Sequence, residues 1–146
     1  MALYKLSTKE AILLNLETAI NGISGISFVD WQRVYDQGIT EDRYPFVFIN
    51  DLRIDKVKML KNITKNEFMV GLASGVWAVE IDGVMENLGT KLNIFMESLK
   101  DAVIADRSRN GCAYTTNITT IETDAGNRYP QEIFVIMLNI KFFSKE

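Results

Sequence analysis

The feature that most limits how this chain can fold is an apolar stretch at residues 67–81. Apolar side chains occupy both sets of alternating positions, so a strand formed here would bury both of its faces. One set comprises Phe68, Val70, Leu72, Val76 and Ala78, and the other comprises Met69, Ala73, Trp77, Val79 and Ile81. Such a strand lies at the centre of a sheet, or it turns its second face toward another subunit. Gly71 and Gly75 within it predict a bulge or a bend.

Two amphipathic helices flank this strand in the sequence. The first follows Ser7, which fits a capping box together with Glu10 and precedes apolar residues at helical spacing. The second is expected to begin at Asp82 or Gly83 and to end near Ala105. Its apolar stripe consists of Val84, Leu88, Leu92, Phe95, Leu99 and Val103. A stripe of this length predicts a helix that covers a core along one side.

Four further segments have the composition of strands, namely residues 27–35, 46–54, 114–123 and 132–143. In the second of these, Phe46, Phe48, Leu52 and Ile54 are predicted to share a face. The last two segments flank a turn signal at residues 124–127, which predicts a hairpin. The lysine-rich segment at residues 55–66 is either a long hairpin or an exposed loop.

The resulting order, α-β-β-β-α-β-β, predicts a single α+β domain over residues 1–146, with a mixed, mostly antiparallel sheet and two helices on one face. Two helices cover one face of a five-stranded sheet, so the second face needs another cover. We expect that cover to be another subunit, and the alternative is a loop that folds over the face. The candidate subunit-interface residues are Met69, Trp77, Val79, Val135, Met137 and Phe143.

The chain has no histidine, which removes the commonest general base near neutral pH and every histidine-based triad or metal site. Cys112 has no base partner that the sequence can name, and it cannot form an intramolecular disulfide as the single cysteine. Carboxylate pairs such as Glu80 with Asp82 match no ligand motif of defined spacing. We therefore predict a protein that is not an enzyme, with no catalytic residue, no cofactor and no metal.

The net charge of −3 and a pI near 5.1 give no general attraction to nucleic acid or anionic lipid. The longest strongly apolar run, at residues 133–138, is far shorter than a membrane span, and no secretory signal is evident. We expect an intracellular protein with no membrane contact and no sequence-specific binding of nucleic acid. Basic side chains concentrate in three places, which are either solvated or docking surfaces for an acidic partner. The candidate contact residues are Lys56, Lys58, Lys61, Lys65, Arg107, Arg109, Arg128 and Tyr129.

Several pieces of this pattern occur together in one known family. They are the helix after Ser7, the RYPFVFI segment at residues 43–49, the strand at 68–79, the helix at 84–105 and a final hairpin that closes with LNIKFF at 138–143. In this order they resemble the tail terminator (tail completion) proteins of long-tailed bacteriophages. The resemblance covers nearly the whole chain as an ordered pattern, without a diagnostic motif.

The resemblance implies a homohexameric ring at the head-proximal end of the tail tube. Such a ring would stop polymerisation of the tail tube protein and provide the joint to the head–tail connector protein, and phage DNA could pass through it. The location would be the virion, reached from the host cytoplasm during assembly. The family has no catalytic residues to transfer, and residues 56–65 and 107–110 are the loops we would assign to contacts with tube or connector.

Three other interpretations remain open. The first is another neck or head–tail connector component, although these are more often helical bundles or small β-barrels. The second is a non-enzymatic cytosolic α+β domain that binds a ligand as a dimer, which would need a concave apolar pocket. The third is a small enzyme that relies on carboxylates alone.

Overall fold

The computed structural model describes residues 6–31, 39–124 and 129–145, apart from the side chain of Leu60. The expected α+β class and element order are confirmed. The helices are α1 (Lys9–Asn21) and α2 (Leu88–Ile104), and a short 3-10 helix spans Glu41–Arg43. The strands are β1 (Phe28–Trp31), β2 (Phe46–Leu60), β3 (Ile63–Trp77), β4 (Glu80–Ile81), β5 (Val84–Met85), β6 (Thr115–Thr123) and β7 (Gln131–Lys145).

Five of these strands form one sheet in the order β1-β2-β3-β7-β6. β1 pairs with β2 in parallel, and the other pairs in the sheet are antiparallel. β3 lies at the centre and pairs along its whole length with β7. The prediction that the apolar stretch forms a central strand is therefore confirmed, although the strand begins and ends four residues earlier than expected, at Ile63 and Trp77.

The lysine-rich segment is a hairpin, as one of the two interpretations had it, and not an exposed loop. β2 continues to Leu60, a tight turn follows at Lys61 and Asn62, and β3 begins at Ile63. Asn62 adopts a positive φ of 67°, a conformation that asparagine tolerates better than most residues. β2, β3 and β7 therefore form a three-stranded extension past the end of β6.

The bulges lie in different strands from the one predicted. The pairing of β3 with β7 is unbroken through Gly71 and Gly75, so the expected bulge there is wrong. β2 has irregularities between Asp51 and Arg53 and between Lys58 and Leu60, and β6 has one between Ile118 and Thr120. Because a bulge reverses the alternation, it places Ile54 on the opposite face from Phe46 and Phe48, contrary to the prediction.

Both helix starts differ from the expected ones. Thr8, rather than Ser7, caps α1 by accepting a hydrogen bond from the backbone N–H of Ala11 at 3.2 Å. Asp82 and Gly83 do not begin α2, because both have positive φ, 51° and 81°, and form the turn between β4 and β5. Two positive φ angles are what a two-residue hairpin turn of type I′ requires.

The main core lies between the two helices and one face of the sheet. Each helix contributes an apolar stripe as its periodicity predicted, except that Val84, expected on the stripe of α2, is exposed on β5. The fully or nearly buried stripe residues are Ile12, Leu16 and Ile20 of α1 and Leu88, Leu92, Phe95, Leu99 and Val103 of α2. In the part of the chain that the structure describes, neither helix is long and apolar enough to cross a membrane.

Candidate functional site

The face of the sheet opposite the helices, called here the open face, carries most of the candidate interface residues. Residues alternate between faces along a strand, and the partners in the main core fix which set faces the helices. Trp77, Val135, Met137, Met69 and Phe143 all belong to the other set, in this order from one end of the face to the other. All five are half-buried. The structure therefore places them on one surface but spreads them along its length.

One end of the open face is covered by the chain itself. Phe46, Phe48, Ala73 and Ile133 form a small buried cluster, against which Phe28, Ile39, Tyr44 and Val135 pack. The Tyr44 ring meets Trp77 edge-on, with ring centroids 5.1 Å apart. The guanidinium of Arg43 lies 4.4 Å from the centre of the Phe28 ring, within the range of a cation–π interaction. The interpretation in which a loop covers the second face therefore holds at this end.

Two glycines shape the surface next to this aromatic cluster. A Cβ atom at Gly75 would lie 2.5 Å from the Phe46 ring and 2.8 Å from Ile133, so only glycine lets these two side chains approach the backbone. A Cβ atom at Gly71 would be 3.3 Å from Leu52 and 3.5 Å from the Met137 sulfur. Leu52 is exposed, so Gly71 lies at the floor of a shallow trough between two flexible apolar side chains.

The other end of the open face is polar. Glu67 and Lys141 form an ion pair across β3 and β7 at 3.5 Å, and Arg53 pairs with Asp55 at 3.3 Å. Phe143 stacks on Tyr114 with ring centroids 5.3 Å apart. The open face thus changes from aromatic to charged along its length.

The four candidate lysines all lie at the hairpin end of the sheet, with Lys56 and Lys58 on the helix side of the strand and Lys65 on the open side. Lys56, Lys58 and Lys61 are exposed, and Lys65 is half-buried on the open face opposite Val57. We call residues 52–65 the arm. Its apolar residues Leu52, Val57 and Met59 are also exposed.

The basic cluster after α2 is built differently from the arm. Arg109 is fully buried, and its guanidinium donates to the backbone carbonyls of Val103 and Asp106. Burial lowers the pKa of Arg109 from its ordinary value. The prediction of a surface contact at Arg109 is therefore wrong, because this side chain closes the C-terminal end of α2.

Three candidates of this kind remain, namely Arg107, Tyr129 and Arg128. Arg107 is exposed and donates to the carbonyl of Thr116 at 2.9 Å, which ties the turn to β6. Tyr129 is exposed. Arg128 falls outside the described residues.

Val79 was expected on a long third strand, but it lies beyond the end of β3. Its N–H donates to a carboxylate oxygen of Glu86 at 2.9 Å, and Lys91 donates to the same oxygen at 2.7 Å. The hydrogen bond from Lys91 holds the pKa of Glu86 below its ordinary value. Together these bonds fix residues 80–86, called here the small hairpin, against the start of α2.

Sequence reasoning missed the small hairpin as a surface. Its residues Ile81, Val84 and Met85 are exposed, beside the exposed carboxylates of Glu80 and Asp82. The signal was present as Asp82-Gly83 between apolar residues, which is typical of a two-residue hairpin turn.

A groove of about 610 Å³ lies between α1 and α2 and the turns that follow them. Its lining is mostly small or polar, with Ala19, Gly22, Ser98, Ala102 and Ala105 among the residues and Ile23 as the one large apolar side chain. Asp106 at its edge accepts hydrogen bonds from Ser108 and Asn110, and the bond from Ser108 contributes most to a pKa below the ordinary value. Such a lining lacks the apolar walls of typical ligand pockets.

Among residues 6–31, 39–124 and 129–145, no three metal-ligating side chains converge. No protein-family model matches the chain, and no curated protein matches it either. The surfaces described above therefore carry the functional interpretation.

Proposed function

We propose that this chain is a structural assembly protein of the tail terminator kind. Six copies form a ring at the head-proximal end of a phage tail tube. The ring stops polymerisation of the tail tube protein and provides the joint to the head–tail connector protein, with phage DNA passing through. It acts in the virion, after assembly in the host cytoplasm, and performs no catalysis.

The observation that carries this proposal is that the open face is only partly covered by its own chain. Both helices pack on the opposite face, and the chain covers the open face at its aromatic end, where Tyr44 packs on Phe46. Beyond that end Met69, Met137 and Phe143 are half-buried. Apolar side chains aligned on one side of a rigid sheet are typical of a protein interface.

The alternatives receive less support. A ligand-binding dimer needs an apolar pocket, whereas the groove between the helices has a small and polar lining. An enzyme based on carboxylates needs two of them to converge. Glu80 and Asp82 instead flank the turn of an exposed hairpin.

Oligomeric mass tests the proposal directly. Light scattering should detect a species of six 16.6 kDa chains, either alone or after addition of tail tubes assembled from the tube protein of the same genome. Electron microscopy should then find a ring at one end of each tube, and tube growth should stop there. A monomer at high concentration, together with tube ends that carry no ring, contradicts the proposal.

A pair of matched variants assigns the contact to the open face. Met137→Glu should reduce ring formation at least tenfold, because a buried interfacial carboxylate costs more than about 1.4 kcal/mol. Leu14→Glu is the control, since Leu14 is an exposed leucine on the outer side of α1. It should leave assembly unchanged. Equal loss in both variants, or no loss in either, would remove the open face from the interface.

A further inference from the structure

The exposed apolar residues of the chain are concentrated in two hairpins. Ten large hydrophobic residues of the described chain are exposed, and six of these lie on the arm and the small hairpin. The arm contributes Leu52, Val57 and Met59, and the small hairpin contributes Ile81, Val84 and Met85. Each is between 43% and 69% exposed. Single exposed apolar residues need no explanation, but grouped ones mark contact surfaces.

The two hairpins carry opposite charge. The arm has five basic residues, Arg53, Lys56, Lys58, Lys61 and Lys65, against the single carboxylate of Asp55. The small hairpin has three acidic residues, Glu80, Asp82 and Glu86, and no basic one. Lys91 pairs with Glu86, whereas no cation of the described residues pairs with Glu80 or Asp82. The small hairpin therefore presents apolar side chains beside negative charge, and the arm carries positive charge on both of its faces, with Lys65 on the same face as Val57.

These surfaces cannot meet within one chain. β3 joins them, because it begins at Ile63 next to the arm's turn and ends at Trp77 just before the small hairpin. Leu52 lies beside Gly71, but Val57 pairs with Lys65, and the stretch of β3 from Lys65 to Trp77 extends about 40 Å at about 3.3 Å per residue. Only a second copy can bring an arm to a small hairpin.

We propose that the arm of one copy docks on the small hairpin of a second copy, head to tail. The exposed apolar residues cover one another, while lysines of the arm face Glu80 and Asp82. Opposite charge steers the encounter and fixes its orientation. Because the two surfaces differ, the contact is heterologous and repeats from copy to copy until a ring closes. The inference rests on the proposed ring and assigns one of its subunit contacts.

Charge reversal tests the pairing. Lys56→Glu, Lys61→Glu and Lys65→Glu together change the net charge of the arm from +4 to −2. Glu80→Lys with Asp82→Asn leaves the small hairpin with one positive charge besides the Glu86 carboxylate, which is paired with Lys91. Asparagine is chosen at position 82 because that residue has a positive φ. Each reversed chain alone should associate at least about tenfold more weakly in sedimentation experiments, since like charges would face each other. An equimolar mixture should recover association to within about threefold, since each reversed surface then finds its complement.

Salt and a remote charge provide the controls. Association of the unaltered chain should weaken as salt shortens the screening length from about 10 Å at 0.1 M to about 3 Å at 1 M. Lys100→Glu, on α2 and away from both hairpins, should have no effect. Circular dichroism of each variant should match the unaltered protein.

Cross-linking tests the geometry without changing charge. In a Cys112→Ser background, Val57→Cys and Val84→Cys each place one thiol on an exposed hairpin position. A bismaleimide should join the two variants only when they are mixed. Cross-linked dimers of either variant alone, or none in the mixture, would overturn the head-to-tail contact.

The outcomes separate the two proposals. If the unaltered chain forms no ring, alone or on tubes, both the ring and this contact are contradicted. If the ring forms but ignores the charge reversals and the mixture does not cross-link, only the head-to-tail contact is overturned.

Discussion

The two faces of the sheet are built from the same three long strands, yet they are filled in different ways. On the helix side, Ile136, Leu138 and Ile140 of β7 are fully buried. On the open side, their neighbours Met137 and Asn139 are half-buried. Successive residues of one strand alternate between faces, so the contrast reflects what covers each face.

This contrast indicates that the helix side determines folding stability and the open side determines association between copies. The helix side forms a closed core that the isolated chain completes by itself. The open side is closed only near Tyr44, Phe46 and Trp77, where aromatic rings pack on one another. Substitutions on the helix side should therefore act on the free energy of unfolding, and those along the open side mainly on association.

The largest expected effect comes from adjacent residues on opposite faces. Leu138→Ala should lower the free energy of unfolding by about 2–5 kcal/mol, because it leaves a cavity in the main core. Met137→Ala should cost about 1 kcal/mol or less, the range of a partly exposed site. Urea denaturation of both variants measures the difference. Equal losses would mean that the open face is as tightly packed as the helix side.

A second test compares the two glycines of β3 on the open face. Gly75→Ala should destabilise the chain by about 1–3 kcal/mol, because the added methyl group collides with Phe46 and Ile133. Gly71→Ala should change stability by no more than about 0.5 kcal/mol, since Leu52 and Met137 can move aside. Urea midpoints at matched m-values provide the measurement. A large loss at Gly71 would show that the trough is rigid.

The sequence predicted what depends on regular periodicity. The α2 stripe from Leu88 to Val103 is the buried side of that helix, because a spacing of three and four residues places side chains on one helix face. The central place of β3 also followed from its composition, since both of its faces are apolar.

The sequence failed where one local signal admits two structures. Asp82-Gly83 suits a helix start, but it also suits a type I′ turn, and the bonds from Val79 and Lys91 to Glu86 favour the turn. The β2 bulge at Leu52 was invisible because no glycine or proline marks it. It nevertheless decided the face of Ile54.

The candidate site was predicted only where it depends on local periodicity. Five of six interface residues share the open face because strand alternation is a local property. Arg109 looked like a surface cation, yet its partners are the backbone carbonyls of Val103 and Asp106, which no sequence pattern names. The separation of the small hairpin from the arm also could not be predicted, because it depends on the observed length of β3.

The smallest expected effect concerns two glutamates on opposite faces. Glu132 lies on the helix side at the end of β7, paired with Val76, and burial, followed by the nearby Asp124, raises the pKa of its carboxyl above the ordinary value of 4.5. Ionised Glu132 therefore opposes folding. Glu67 lies on the open side and pairs with Lys141 at 3.5 Å, so its charge favours folding slightly.

Glu132→Gln and Glu67→Gln should therefore change stability in opposite directions. A raised folded-state pKa contributes stability that is present below the unfolded value and is lost as pH rises through the folded value. At pH 7 Glu132→Gln should gain about 0.3 kcal/mol after allowance for solvent screening, and Glu67→Gln should lose a similar amount. The gain at Glu132 should disappear near pH 3, well below the ordinary value of 4.5, where the carboxyl is protonated in both states. Urea denaturation at the two pH values measures both signs, and no gain from Glu132→Gln at pH 7 would mean that this end of the helix side is solvated.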